Sequence, residues 1–347
     1  MKITVIGAGN TGMAAACHMR SAGMDVTVYA RNPKKAELWE KEPVRAEGKL
    51  EGCFQIPVTQ DIETAVAGAD ILVFATLVSQ HGEAAAEVKP YLKKNQVLLV
   101  LNGCWGAAQI CRVLGDTREA LSLTVGETAN MPYIAVLSDD WRTVLVKGKK
   151  EAVAFAALGP QKSVIRGMLS SLITHVTEEP SLVVTSLGST NPIIHVAASL
   201  YNMTRIDNGE DFLFFGPGMT KRTVAVMERM DEERLAVGKA LGFALPSLLE
   251  GLNSFWPVKW PTLYEALTQN ASYKVSRGPT SLEYRYLSED LPCGLEAIVD
   301  LGHRLSVPLP ATETVVKAAS LYLGKPVRPF LEAGDMEAIG ILGQKSI

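Results

Sequence analysis

The sequence predicts an α/β fold in which an N-terminal doubly wound parallel sheet is followed by an all-helical C-terminal domain. Two observations support this fold class. Apolar runs typical of buried strands alternate with helical runs from residue 2 to about residue 158, as in a parallel sheet covered by helices. From about residue 167 the pattern changes to long amphipathic helices with few strand signals. We therefore expect one domain at residues 1–165 and a second at residues 166–347.

The first predicted strand leads directly into a glycine-rich turn. Residues 2–6 form an apolar run that is followed by Gly7-Ala8-Gly9-Asn10-Thr11-Gly12 and then by a helical pattern. The first glycine permits the tight turn, the second lets a pyrophosphate approach the backbone, and the third lets helix and strand pack closely. Amides at the start of the helix favour phosphate groups. This strand–turn–helix context predicts a Rossmann domain that binds a dinucleotide.

The end of the second strand indicates which dinucleotide is bound. The strand is predicted at residues 25–29 and is followed by Ala30, Arg31 and Asn32. Folds that bind NAD usually place an acidic residue about 20 residues after the glycines, where it holds the ribose hydroxyls. Arg31 stands there instead, and an arginine can pair with the 2′-phosphate of NADP. The alternative is a solvated surface arginine. We expect NADP in preference to NAD.

The alternation continues through several further strands. They are predicted at residues 55–59, 69–75, 96–101, 121–125, 143–146 and 152–158, and the last two are expected to close the sheet. Thr76 and Asn102 follow two of these strands, and ligands of open parallel sheets gather at the carboxyl ends of strands. The residues expected to bind the dinucleotide are Gly7, Gly9, Asn10, Thr11, Gly12, Arg31, Asn32 and Thr76.

The second half of the chain is predicted to be helical. Helical patterns occur at residues 219–241, 263–268, 294–305 and 311–323. In the first of these helices a charged run is expected to form a solvated face and not a catalytic carboxylate pair. The run consists of Glu228, Asp231, Glu232, Glu233 and Arg234. Aromatic residues at 255–261 either pack a helix connection or form the wall of a substrate pocket, and both alternatives stay open.

A histidine lies near the start of another predicted helix, in the segment Asn191-Pro192-Ile193-Ile194-His195. Asn191 can cap this helix, and Pro192 fits the first turn because no amide hydrogen bond is lost there. His195 then lies near the positive end of the helix dipole, which favours a neutral imidazole that can accept a proton. The alternative is a core histidine, since mostly apolar residues follow it.

A polar stretch at residues 277–292 offers groups that could complete a site with this histidine. It contains Arg285 and Asp290 together with further charged residues. An arginine binds a carboxylate through two parallel hydrogen bonds, and an aspartate bonded to a histidine fixes the histidine tautomer. The alternative is a loop salt bridge of Arg285 with Asp290 or Glu289, which contributes little at a surface. Spacing alone does not separate the two interpretations.

Several blocks of this chain resemble the NAD(P)-dependent opine, or octopine, dehydrogenase family. The blocks are the glycine motif, Glu127-Thr128-Ala129-Asn130-Met131-Pro132-Tyr133, Asn191-Pro192-Ile193-Ile194-His195 and Arg285-Tyr286-Leu287-Ser288-Glu289-Asp290-Leu291-Pro292. The stretch from Asp231 to Gly242 is similar too. The glycine motif is generic, whereas the middle and late blocks are specific, and together they span most of the chain. The resemblance implies a Rossmann domain followed by a helical domain, in a 6-phosphogluconate-dehydrogenase-like arrangement.

The resemblance also implies an oxidoreductase that condenses an amino acid, or an amine, with a 2-oxo acid. The two form an imine, and NAD(P)H delivers hydride to the imine carbon, so the product is a secondary amine. By resemblance His195 transfers the proton, Asp290 is its partner, and Arg285 anchors the carboxylate of the oxo acid. Further positions expected near the substrate are Asn102, Thr128 and Asn191.

Two other functions remain open from the sequence. An enzyme resembling 2-dehydropantoate 2-reductase would share the fold and NADPH but reduce a simple carbonyl, with a lysine for proton transfer. Residues 191–202 contain no lysine and offer His195, which favours the opine dehydrogenase. A non-catalytic NADP-binding sensor would keep the glycine motif but would not need His195, Asp290 and Arg285 together.

Composition indicates the class of partner and the compartment. The chain is 47% hydrophobic and 20% charged, and its net charge of -3 gives no electrostatic reason to expect nucleic acid or an anionic membrane. No apolar run approaches the roughly 20 residues of a membrane helix. The five cysteines are scattered without metal-ligand spacing, so we expect reduced thiols, a cytoplasmic protein and no metal site. An exposed apolar helix face would allow a homodimer.

Overall fold

The computed structural model describes residues 1–328 and 330–341, which divide into two compact units. The first unit is Met1–Thr185 with the described part of Ala333–Ile347, and the second is Ser186–Glu332. This division differs from the predicted boundary near residue 165. The reason is that the strand His175–Glu178 pairs with the strand Ala152–Leu158 and so completes the sheet of the first unit.

Two β-sheets are described in the first unit. Their strands are β1 (Lys2–Ile6), β2 (Asp25–Tyr29), β3 (Val44–Gly48), β4 (Gly52–Phe54), β5 (Val58–Thr59), β6 (Ile71–Phe74), β7 (Val97–Val100), β8 (Thr124–Thr128), β9 (Tyr133–Leu137), β10 (Thr143–Lys149), β11 (Ala152–Leu158) and β12 (His175–Glu178). The larger sheet has the order β12-β11-β8-β7-β6-β1-β2-β5, and the smaller has the order β4-β3-β10-β9. The larger sheet is parallel except where β11 meets β8.

Helices cover both faces of the larger sheet, which confirms the predicted doubly wound fold. The α-helices that begin in this unit before residue 186 are α1 (Asn10–Ser21), α2 (Pro33–Lys41), α3 (Ile62–Ala67), α4 (His81–Val88), α5 (Gly106–Leu114), α6 (Thr117–Ala120), α7 (Lys162–Ser170) and α8 (Leu182–Leu187), the last two residues of which belong to the second unit. Alternate residues of β6 enter opposite cores. Ile71 and Val73 pack with α1 and α7, whereas Leu72 and Phe74 pack with α3, α4 and α5.

Two strand predictions in this unit are corrected by the structure. The strand expected at residues 121–125 begins and ends three residues later, as β8 (Thr124–Thr128). Ser122 turns the chain with a φ of 51°, so pairing with β7 begins only at Thr124. The strand expected at residues 143–146 is β10, which does not close the larger sheet. It pairs with β3 and β9 in the smaller sheet instead.

The second unit is helical in its described residues, apart from one isolated bridge between Leu213 and Arg277. Its elements are α9 (Asn191–Leu200), α10 (Met203–Asp207), α11 (Lys221–Ala240), α12 (Leu248–Phe255), α13 (Leu263–Gln269), α14 (Arg285–Ser288), the π-helix Asp290–Leu295, α15 (Glu296–Arg304) and α16 (Pro310–Leu323). The chain then returns to the first unit as α17 (Ala333–Ala338), where Asp335 accepts a 2.7 Å hydrogen bond from Arg112 on α5.

The charged run on α11 is only in part the solvated face that the sequence predicted, since Glu228 and Glu232 are exposed but other members are not. Arg234 and Asp231 are buried, and the Arg234 guanidinium donates to the Asp231 carboxylate at 2.6 and 2.9 Å. Asp231 also accepts from the amide of Leu248, so the pair ties α11 to α12. Glu233 accepts from the amides of Ala311 and Thr312 and thereby caps α16. These residues hold the helical unit together.

No helix of residues 1–328 and 330–341 combines the length and apolar composition needed to cross a bilayer. In the same residues, His, Cys, Asp and Glu side chains form no group of three or more that could hold a metal ion.

Candidate active site

A histidine and an aspartate form a short hydrogen bond in the second unit. His195 Nδ1 lies 2.7 Å from Asp290 Oδ2, and the two side chains are only 12% and 5% exposed. His195 is the fifth residue of α9, and Asp290 is the first residue of the π-helix. With Nδ1 bonded to the carboxylate, Nε2 is the ring nitrogen left to exchange a proton with a ligand.

The start of α9 differs in one respect from the prediction. Thr190 occupies the cap position and Asn191 is the first helical residue, so Asn191 does not cap the helix with its side chain. Pro192 occupies the first turn as predicted. Asn191 lies four residues before His195, which places both on the same face of α9.

The π-helix carries Asp290 close to α9 with the help of a glycine. A Cβ added to Gly294 would lie 2.2 Å from Cγ of Pro192, so a side chain at this position would force the two helices apart. Single π-turns often occur at functional sites, where they rotate a side chain out of the α-helical register. No local sequence pattern marks Gly294 as a site residue, because this contact joins residues about 100 positions apart.

Aromatic rings surround the histidine. Tyr286 stacks on His195 with ring centroids 3.9 Å apart and an interplanar angle of 23°. Phe214 contacts both rings, at 6.3 Å from His195 and 4.9 Å from Tyr286. Sequence reasoning missed this role for Tyr286, although the residue lies beside Arg285 in one of the family-like blocks.

Arg285 begins α14 and presents a guanidinium that is not fully bonded. Its Nε is buried and has no hydrogen-bond partner among residues 1–328 and 330–341. Burial acts to lower the pKa of Arg285, but the carboxylates of Asp290 and Glu289 act to raise it, and the net direction is upward. The site therefore holds a permanent cation with an unused donor, next to the His195–Asp290 pair.

In the first unit, the glycine motif forms the turn between β1 and α1. Gly7 has a φ of 119°, and a Cβ on Gly12 would lie 1.9 Å from the carbonyl oxygen of Gly7. Both positions therefore require glycine. Gly9 has open space on its Cβ side and precedes the amides that open α1. Asn10 lies in the same turn, but its Oδ1 accepts from the amide of Leu137 and so links the turn to β9.

Three predicted residues lie side by side at the carboxyl edge of the larger sheet. Thr76 and Asn102 each follow a strand by two residues. In the part of the chain that the structure describes, Thr76 Oγ1 and Asn102 Oδ1 are buried without a hydrogen-bond partner. Thr128, at the end of β8, accepts from the amide of Asn102 at 2.9 Å and donates to the carbonyl of Asn130. Thr128 thus holds Asn102 in position, and the Thr128 hydroxyl hydrogen is engaged by the carbonyl of Asn130.

Glu127 shapes this edge and was not identified as a site residue from the sequence. It is fully buried and accepts from the amide of Ala107 and the hydroxyl of Thr185. A Cβ on Gly103 would lie 2.1 Å from its carboxyl carbon, so the loop after β7 wraps closely around it. A buried carboxylate at the start of α5 stabilises that helix and fixes the loop that carries Asn102.

Arg31 and Asn32 lie at the end of β2. Arg31 Nη1 is 3.7 Å from Glu83 Oε1, and both side chains are more than half exposed. Such a surface pair is weak and leaves the guanidinium available to a stronger anion. Asn32 Oδ1 accepts from the amide of Lys34 and caps α2. Thr11 lies in the second position of α1, beside the glycine turn.

Two family models match the two halves of the chain. Residues 178–323 match the model described as NAD/NADP octopine/nopaline dehydrogenase, alpha-helical domain. Residues 3–136 match the model of ketopantoate reductase PanE/ApbA. His195, Arg285 and Asp290 thus all lie in the part that matches the octopine and nopaline dehydrogenase model.

Similar proteins are found over almost the whole length. The chain is 29% identical over 344 residues to an opine dehydrogenase of Arthrobacter sp. (strain 1C), covering 98% of this chain and 95% of that protein. An octopine dehydrogenase in complex with NADH and agmatine matches with a TM-score of 0.77 and 20% identity, over 96% and 91% of the two chains. A yersinopine dehydrogenase with NADP+ bound matches with a TM-score of 0.73 and 14% identity, over 98% and 93%. The two structures share the fold of this chain.

Proposed function

We propose that this chain, a member of the octopine and nopaline dehydrogenase family of oxidoreductases, catalyses the NADPH-dependent reductive condensation of an amino acid or amine with a 2-oxo acid. The observation that carries the proposal is the buried His195–Asp290 hydrogen bond beside the Arg285 guanidinium. In this reaction the amine and the oxo acid lose water to form an imine. The imine then gains a hydride and a proton and becomes a secondary amine.

Arg285 is the proposed anchor of the oxo acid. A 2-oxo acid carries a carboxylate next to its reacting carbonyl, so holding the carboxylate also positions the carbonyl. A guanidinium binds a carboxylate with two parallel hydrogen bonds, and Arg285 has a buried donor that no described residue of the protein accepts. Asn191, on the His195 face of α9, is proposed to bind a further polar group of the substrates.

His195 is proposed to carry protons at Nε2. Because Nδ1 bonds to Asp290, the neutral ring has its lone pair on Nε2 and can accept a proton from the ammonium group of the amine. The amine is then nucleophilic and attacks the carbonyl. His195 returns the proton to the hydroxyl group that leaves as water, and Asp290 stabilises the imidazolium that exists between the two steps.

Residues of the first unit fit a nicotinamide dinucleotide. The open space at Gly9 gives room for a pyrophosphate at the start of α1. Thr76 Oγ1 and Asn102 Oδ1 are buried polar atoms that bond to no described residue, and ribose hydroxyls or a carboxamide would satisfy them. When bound, the dinucleotide supplies the hydride. Thr128 is proposed to hold Asn102 in place for this contact.

We propose NADPH in preference to NADH. The turn after β2 has Arg31 where an acidic residue would hold the ribose hydroxyls of NADH. Arg31 makes an exposed 3.7 Å contact to Glu83. A 2′-phosphate offers this guanidinium a stronger, charge-assisted pair. Among the similar proteins, the octopine dehydrogenase was solved with NADH and the yersinopine dehydrogenase with NADP+. The choice of cofactor in this chain is therefore supported by Arg31 itself.

The experiment that tests the function is NADPH oxidation with a panel of 2-oxo acids, each with and without a pool of amino acids and amines. We expect oxidation only when both an oxo acid and an amine are present. Oxidation by an oxo acid alone would assign the enzyme to the ketoacid reductases. His195→Asn should lose turnover but still bind NADPH, whereas the matched control His303→Asn, at a 62% exposed histidine of the same unit, should keep both.

A further inference from the structure

The ring of Tyr286 covers one face of His195. Their centroids are 3.9 Å apart at an interplanar angle of 23°, well inside the roughly 6 Å over which a cation is attracted to an aromatic face. A neutral imidazole gains only stacking from this contact, but an imidazolium also gains attraction to the electron-rich face of the phenol. We propose that Tyr286 is a positioning residue that favours the protonated state of His195.

Neighbouring rings hold Tyr286 in this orientation. Tyr286 is the second residue of α14, and Phe214 lies 4.9 Å away on a tilted plane. Tyr284 meets it edge-on, also at 4.9 Å, with an interplanar angle of 84°. Burial raises the pKa of the Tyr286 phenol, so the ring stays uncharged at neutral pH. The face that His195 meets is therefore a neutral π-surface.

The charged groups near His195 act in opposite directions. The Asp290 carboxylate, which bonds to His195 Nδ1, favours an imidazolium, whereas the Arg285 guanidinium, which interacts with the same carboxylate, disfavours a second cation. Helices α10, α11 and α16 also pack against α9. Their hydrogen-bonded charged groups have partners other than His195, namely Arg205 with Glu210, Arg234 with Asp231, and Lys317 with Glu313. Beside the Asp290 carboxylate, the stacked ring of Tyr286 is therefore a second contact that favours the imidazolium.

This inference rests on the proposed function, in which His195 must become an imidazolium between two proton transfers. If Arg285 anchors the oxo acid, its charge has to stay close to His195 for geometric reasons. A second anionic side chain would also stabilise the protonated form of His195, but it would compete with the substrate carboxylate for Arg285. An aromatic face stabilises the cation without that competition, because it carries no net charge.

The experiment reads the protonation of His195 directly and needs no substrate. The full-length protein with ¹³C-labelled histidine is titrated with pH by NMR, and the His195 signal is identified by its loss in His195→Asn. Wild type is compared with Tyr286→Phe, which keeps the π-face, and with Tyr286→Leu, which keeps only apolar bulk. Tyr201→Leu is the matched control, since Tyr201 follows the same helix and is 53% exposed.

We expect Tyr286→Leu to move the His195 titration midpoint to lower pH by about 0.4 to 1.5 pH units, and to move the acid limb of the kcat profile in the same direction. Tyr286→Phe and Tyr201→Leu should leave the midpoint unchanged. An unchanged midpoint in Tyr286→Leu overturns the proposal, and so does a Phe variant that shifts like Leu. If thermal melting shows that Tyr286→Leu does not fold, the titration is repeated with Tyr286→Met, for which we expect the same shift to lower pH.

The failure of this proposal and the failure of the proposed function give different results. A wild-type protein that never consumes NADPH with an oxo acid and an amine contradicts the function, while the NMR titration remains readable. A protein that carries out the condensation but shows no effect of Tyr286→Leu on the titration contradicts only the role of Tyr286.

Discussion

The negative charge of Asp290 is the most direct target for testing the proposed site. Asp290→Asn keeps the shape of the side chain but removes the charge, and its amide can donate to His195 Nδ1. The ring would then carry its hydrogen on Nε2, where the mechanism needs a lone pair. The bond measures 2.7 Å and the side chains are 12% and 5% exposed, so solvent screens the interaction weakly.

The size of the effect follows from the kind of hydrogen bond. A hydrogen bond to a charged group contributes about 1.5 to 3 kcal/mol. If the whole contribution falls on the protonated form of His195, kcat should decrease roughly 10- to 150-fold, at about 1.4 kcal/mol for each factor of ten. The dissociation constant for NADPH should not change, because the residues proposed to bind the dinucleotide lie in the first unit.

The assay is steady-state condensation together with a fluorescence titration of NADPH. Asp211→Asn is the matched control, because Asp211 is a 69% exposed carboxylate of the same unit paired with Arg277 at 2.7 Å. Exposed pairs contribute little, so the control should stay within about twofold of wild type. A kcat for Asp290→Asn inside the range of this control would refute the role that we assign to the carboxylate.

Three further predictions concern the anchor, the cofactor and the fold. Arg285→Lys should raise KM for the oxo acid about 10-fold or more while NADPH binding is kept, because the two-bond fork is lost; an unchanged KM in steady-state kinetics would remove Arg285 from the binding site. Arg31→Ala should lower the preference for NADPH, measured as kcat/KM with NADPH divided by kcat/KM with NADH, by about 10-fold. An unchanged preference would show that another residue binds the 2′-phosphate. Asp335→Ala should lower the free energy of unfolding by about 1 to 3 kcal/mol in urea titrations, because it removes a buried carboxylate that bonds to Arg112 at 2.7 Å; a change below about 0.5 kcal/mol would contradict this.

Most strands of the larger sheet could be predicted because their signals are local, whereas β12 lies beyond the predicted end of the first domain. Strands β6 and β7 are buried on both faces and therefore appear as unbroken apolar runs. The smaller sheet could not, since β3 alternates buried Val44 and Ala46 with exposed charged residues and pairs with β10, about 100 residues later. Nothing within either segment indicates that partner. The strand at 143–146 was therefore assigned to the wrong sheet.

The charged run on α11 shows a different limit of sequence reasoning. Charged residues spaced along a helix usually face solvent, and Glu228 and Glu232 do so. Asp231 and Arg234 are three residues apart and form a hydrogen-bonded ion pair. Arg234 also donates to the carbonyl of Pro246, and Asp231 accepts from the amide of Leu248. Burial of such a pair depends on those distant backbone groups. A helical pattern alone does not reveal them.

The proposed site combines what the sequence can and cannot indicate. Residues 285–290 supply the anion anchor, the stacked ring and the partner of His195, so most of the proposed chemistry of the second unit comes from one short segment. The sequence shows the residue types of this segment but not its backbone conformation. Continuing an α-helix through Pro292 and Gly294 is unfavourable, because Pro292 lacks an amide hydrogen and Gly294 has no side chain. The chain forms a π-helix there, and Gly294 lets Pro192 of α9 approach. The 2.7 Å distance between His195 and Asp290 therefore depends on a backbone irregularity that no spacing rule predicts.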